Sequence, residues 1–179
     1  MSPSFRIVLP ALIILLASVA LPALAQLDSD KDGLPDEMEE QLATDPQFAE
    51  PLQTIGTFTR PEGPKAAMQF KRVDFGNVGR NRWLWAITFQ KPYSFTNAQI
   101  IIYLDADNNP ATGRQGMGCE YMFSHSEGQG SYTAFAPDGT AATAATPRVA
   151  LHNGVLYMCV DCPLKQENGK SVFRYNILS

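Results

Sequence analysis

The sequence predicts a mainly β fold, an antiparallel β-sandwich preceded by a short acidic loop that opens a single helix. Three observations carry this. Apolar residues recur at every second position in several short runs, as in Trp83, Trp85, Ile87 and Phe89, which is the period of a strand with one buried face. Asp138-Gly139, Asn153-Gly154 and Asn168-Gly169 stand between such runs, and these dipeptides accept the positive φ angles of tight hairpins. No long amphipathic helical stretch competes with them.

In chain order, the first element is a leader. Residues 1–25 carry one basic residue, Arg6, an apolar run over 7–24, and Ala23-Leu24-Ala25, with small residues at the two positions a signal peptidase selects. Pro10 and Pro22 interrupt the run, which argues for a cleaved signal peptide over a retained span. Gln26 is then the first mature residue, no membrane span remains after cleavage, and the expected location is secreted or periplasmic. The chain of 179 residues has room for one main domain and a small appendage.

Charge is unevenly distributed. The net charge is −4, yet nine of the eighteen Asp and Glu fall between Asp28 and Glu50, against a single Lys31. Basic residues further along do not cluster, so there is no nucleic-acid footprint and no polybasic membrane patch. Spacing separates the acidic stretch from a solvated tail. Asp28-Ser29-Asp30-Lys31-Asp32-Gly33 followed by Glu39 fits D-x-[DN]-x-[DN]-G-x5-E. Calcium is a hard ion that takes six to eight oxygens, and carboxylates at alternate positions let a short loop fold around it. The pattern predicts a site made by the carboxylates of Asp28, Asp30 and Asp32, the Leu34 carbonyl, Asp36 directly or through water, and a bidentate Glu39, with Glu40 as a substitute for the last. Calcium is the expected cofactor.

A helix should follow. Pro35 suits its first turn, and Asp36, Glu37, Glu39 and Glu40 favour its positive end. Only Gln26 and Leu27 precede the loop in the mature chain, too few for the entering helix of a paired EF-hand. The stretch DSDKDGLPDEMEE with its closing Thr44-Asp45-Pro46 resembles thrombospondin type 3 repeats of exported bacterial proteins. The resemblance covers residues 27–47 and implies calcium binding and a rigid anchor beside another domain. The family stacks several repeats that share ions, whereas this chain has one copy, which leaves Asp45 without a neighbouring repeat to serve.

The calcium loop and helix are assigned to 26–47, and residues 48–64, rich in Pro, Gly, Thr and Gln, read as a linker with one short strand over 54–59. The sandwich is assigned to 65–179. Residues 98–104 read as a wholly buried strand, while Cys119, Tyr121, Phe123 and His125 alternate, as do Tyr132 with Ala134 and Phe173 with Tyr175 and Ile177. Six to eight short strands joined by such turns imply a sandwich or barrel. The chain ends at Ser179 directly after a strand, a pattern compatible with a sandwich that continues past it.

Between two of these strands lies a second acidic loop. Asp105, Asp107 and Asn109, with Glu120 returning in the next strand, offer oxygens to a second hard cation. The same residues also suit a polar turn whose Asp side chains accept backbone amides. The run YLDADNNPATGRQGMGCEY resembles the carbohydrate-binding-module-like sandwiches related to family nine and the DOMON-type group, with Glu120 where an Asp is expected. That resemblance implies a structural calcium in this loop, with sugars or haem bound elsewhere on the sandwich.

No enzyme is expected. His125 and His152 lack a nucleophile motif nearby. Met117, Met122 and His125 are close enough in sequence to raise a haem site, so a haem-binding or redox carrier of the DOMON type is the alternative function. Export favours one disulfide and one spare thiol among Cys119, Cys159 and Cys162, with the pairing open. Trp83, Trp85, Tyr93, Phe95 and Tyr103 offer aromatic faces for a sugar ring, and the two tryptophans must be buried or displayed together. The expected function is an exported, calcium-binding, non-catalytic module whose sandwich binds a glycan or an extracellular protein.

Overall fold

The computed structural model describes residues 26–58, 70–79, 81–91, 99–114, 116–126, 129–143 and 147–178. The expected signal peptide lies outside these residues, as do Tyr93 and Phe95. Among the described residues no helix is long and apolar enough to cross a membrane.

The fold is an antiparallel β-sandwich with one short helix, as the alternation predicted. One sheet joins β1 (Gln53–Thr57), β2 (Phe70–Gly79), β3 (Arg82–Phe89), β9 (Val155–Asp161) and β8 (Arg148–His152) in that order. The other joins β12 (Arg174–Leu178), β4 (Gln99–Asp105), β5 (Tyr121–Ser126), β6 (Gln129–Phe135) and β7 (Ala141–Thr143). A small hairpin, β10 (Gln166–Glu167) with β11 (Lys170–Ser171), stands apart from both. The Asn-Gly turns form as expected, with Asn153 and Gly154 at φ 47° and 77° and Asn168 and Gly169 at 53° and 75°, both residues left-handed as a two-residue hairpin of this hand requires.

The core lies between the sheets. Trp83, Trp85 and Ile87 from β3, with Leu156 and Met158 from β9, meet Ile100, Ile102, Leu104 and Phe123 from the facing sheet. Both tryptophans therefore point inward, Trp83 at 6% exposure and Trp85 at 0%. Strand β4 corrects one expectation. It is central, paired with β12 and β5, but Ile101 and Tyr103 are only half-buried while Ile100, Ile102 and Leu104 are buried. Among the described residues no second layer covers its other face, although the Arg114 guanidinium lies 5.3 Å over the Tyr103 ring.

A second, smaller core forms on the outer face of the first sheet. Leu34 and Leu42, from the acidic loop and the helix α1 (Asp36–Leu42), pack with Leu84, Ala150 and Cys159. The side chain of Gln41 donates to the Val149 carbonyl at 2.7 Å, and Arg82 donates to the Ala43 carbonyl at 2.7 Å. The N-terminal unit is thus docked on the sheet. The stretch expected to be a linker also takes part, because Gln53–Thr57 pairs with β2 as an edge strand. Its Thr54 and Ile55 carry the β-branched character that the Pro and Gly around them obscure.

Cysteine chemistry differs from expectation. All three cysteines are buried free thiols. Cys159 faces the outer core and Cys162 the inner one, since residues three apart in an extended chain point to opposite faces, and burial pushes the Cys159 thiol up to about 11.

Candidate metal centre

The acidic loop turns on itself through its own side chains. Asp28 accepts the amides of Lys31 at 2.7 Å and Gly33 at 3.1 Å, Asp30 accepts that of Asp32 at 3.1 Å, and Asp32 accepts that of Leu34 at 2.8 Å. Gly33 has φ 97°, a value that a side chain resists. These bonds curl the loop so that carboxylate oxygens of Asp28, Asp30 and Asp32 lie within 4.8 Å of one another.

Glu39 approaches from the helix. Its side chain is fully buried, at 0% exposure, and neither carboxylate oxygen has a hydrogen-bond partner. One oxygen of Asp30 is likewise buried and unpartnered. Burial pushes Glu39 up to about 7, and Asp30, Asp32, Asp36 and Asp28 push in the same direction. Among the described residues no ion pair reaches any of these carboxylates. A buried carboxylate without a partner costs several kcal/mol, so this arrangement fits a cation. The donor set is all oxygen, which suits a hard divalent ion such as calcium.

Each expected ligand has a definite place. Asp28, Asp30 and Asp32 converge, and the buried Glu39, near enough to feel their charges, takes the place beside them that the exposed Glu40 does not. Leu34 anchors the loop by burying its side chain, at 2% exposure. Asp36 accepts the amide of Ser29 at 2.8 Å and its hydroxyl at 2.7 Å. Asp45 holds a local turn by accepting the Gln47 amide at 3.1 Å. Sequence reasoning missed Glu50. Its amide lies 3.4 Å from Asp32 Oδ2, and one of its own carboxylate oxygens is buried without a partner. Burial pushes Glu50 up to about 8, with Asp32 and Glu39 adding to the effect and Thr44 opposing it. It lies beyond the twelve-residue pattern, and its one signal is that it closes the acid-rich stretch.

The second loop also gathers carboxylates, with Asp105, Asp107 and Glu120 within 4.8 Å. Their oxygens are occupied. Arg174 donates to Asp105 at 2.8 Å, and the Asn109 amide donates to Asp105 at 3.0 Å and to Asp107 at 2.9 Å. Glu120 accepts the Ala106 amide at 2.7 Å, and the Thr112 hydroxyl lies 3.0 Å from both Asp107 and Glu120. The Asn109 side chain accepts the Ala111 amide at 3.1 Å and serves its own turn. These bonds close a polar turn whose three carboxylates are also near enough to hold a cation.

The residues considered for haem do not converge. Met122 and His125 are three apart in β5 and point to opposite faces. Met122 meets Arg114 at 3.5 Å, His125 is buried beside the core, and Met117 is exposed. No family model matches the chain, and no curated protein or solved structure matches it.

Proposed function

We propose that the chain is an exported, non-catalytic module that binds calcium at its N-terminal loop and a glycan or protein partner through its sandwich. Glu39 carries the calcium reading: a carboxylate fully buried, unpartnered and close to Asp28, Asp30 and Asp32 stays ionised at neutral pH and above only if a cation balances it. The loop pattern of the thrombospondin type 3 repeats supports the same ion. Export rests on the leader-like composition of residues 1–25, and the resemblance of the 103–121 region to family-nine and DOMON-type sandwiches supports a binding role.

A groove of about 590 Å³ runs between the β1–β2 edge and the β10–β11 hairpin, with Phe75, Trp83 and Phe173 on its apolar wall and Gln53, Asn77 and Lys170 supplying polar groups. A mixed lining of this kind suits a ligand with apolar faces and hydroxyl rims. Isothermal titration of the leader-free protein with calcium should reveal one site, in the range of roughly 10⁻⁴ to 10⁻³ M common to extracellular modules. Glu39→Gln should weaken it on the order of 100-fold. No heat at millimolar calcium, or wild-type affinity in the variant, would refute the calcium assignment. A glycan array probed with calcium-loaded protein separates a saccharide from a protein partner.

A further inference from the structure

Without Asp36, the loop pattern fills the coordination sphere only to its lower limit. Asp36, at position nine, accepts the amide and the hydroxyl of Ser29, a residue on the outside of the loop. With Glu39 bidentate, Asp28, Asp30, Asp32, Glu39 and a main-chain carbonyl supply six oxygens, the low end of the six to eight that calcium takes, which leaves room for a further donor. Glu50, whose amide lies 3.4 Å from Asp32 and one of whose carboxylate oxygens is buried without a partner, is a candidate for it.

Packing, not loop spacing, delivers Glu50. The next residue, Pro51, presses its carbonyl against Gly76 of β2, where a Cβ would meet that oxygen at 2.7 Å. Only glycine permits so close an approach of backbone to backbone. The Leu52 amide donates to the Glu50 carbonyl at 2.7 Å, which fixes the bend that turns the chain into β1. Held in this way, Glu50 brings its amide to Asp32 and leaves one carboxylate oxygen buried without a partner. The independent sign that a cation belongs here is Glu39, wholly buried with both oxygens unpartnered.

We infer that Glu50 is a direct ligand of the calcium site, supplied from outside the loop in place of Asp36, so that one divalent ion staples the N-terminal loop to the entrance of β1. This rests on the calcium reading of the loop. The competing arrangement is a protonated Glu50 that shares a hydrogen with Asp32 and never touches the ion.

Calorimetric titration with calcium chloride at pH 8 distinguishes the two. Glu50→Gln should bind calcium about tenfold or more weakly than wild type, while Asp36→Asn stays within about threefold. Terbium luminescence lifetimes in light and heavy water should report an additional coordinated water in Glu50→Gln and none in Asp36→Asn. Circular dichroism establishes that each variant is folded, and Glu50→Asp, which keeps the charge on a shorter arm, provides a second probe with intermediate affinity expected. Wild-type affinity and water count in Glu50→Gln would overturn the assignment of Glu50. Absence of calcium binding in the wild type would overturn the underlying reading of the loop.

Discussion

In each acidic loop three carboxylates approach within 4.8 Å, Asp28, Asp30 and Asp32 in one and Asp105, Asp107 and Glu120 in the other. What surrounds them differs. At the β4–β5 loop, Arg174 reaches across from β12 to Asp105, and Thr112 with two backbone amides takes the remaining oxygens. At the N-terminal loop no basic side chain pairs with these carboxylates among the described residues, and Glu39 and Glu50 keep buried oxygens without a partner there. Spacing of acids along a chain brings like charges together. Whether the fold also supplies a counter-charge decides if a cation is still needed.

The largest expected effect comes from the pH dependence of the metal-free protein. Glu39 and Glu50 titrate in the fold at about 7 and about 8, above the ordinary value of 4.5. A carboxyl raised in this way binds its proton more tightly folded than unfolded, so stability falls as pH climbs from about 4.5 to about 8. Glu39 alone accounts for roughly 3 kcal/mol over that interval, or on the order of 5–10 °C in melting temperature. Thermal melts in chelator from pH 5 to pH 8 should follow that decline, and millimolar calcium should abolish it. A flat profile in chelator would place both loops in the same, internally compensated class.

Arg174→Ala sharpens the comparison from the other side. It leaves Asp105, whose side chain is 7% exposed, without its cation. Because Arg174 is itself half exposed, the cost should be about 2 kcal/mol, below that of a fully buried pair. Chemical denaturation measures this, and added calcium should recover part of the loss in the variant. If the second loop gains no calcium dependence, the counter-charge is not what distinguishes it. Asp107→Asn should do least. Its neighbours Asn109 and Thr112 keep hydrogen-bond partners, so stability should change by less than about 0.5 kcal/mol, and the calcium titration should match wild type.

Much of the fold was legible because strand alternation and Asn-Gly turns are local signals. Trp83, Trp85 and Ile87 fell on one face as their spacing required, and the hairpin turns at Asn153 and Asn168 took the left-handed angles their residues favour. The strand expected over 54–59 forms as Gln53–Thr57, and its bounds were harder to read because Gly56 interrupts so short a run and leaves little period to detect. Reading 98–104 as wholly buried failed for a different reason. An unbroken apolar run shows that both faces are greasy, not that both are covered.

The chain's own order determined the first-coordination candidates Asp28, Asp30, Asp32 and Glu39, because a turn closed by its own side chains needs nothing from afar. It equally determined that the strands would alternate and pair through tight turns. Only the folded molecule decided that Asp36 turns back to Ser29, that Glu50 enters beside Asp32, and that Arg174 neutralises Asp105. The last two are contacts between segments 18 and 69 residues apart in sequence. They are set by how two sheets and a docked helix pack, and the electrostatic character of a carboxylate cluster follows from that packing more than from the residues in the cluster.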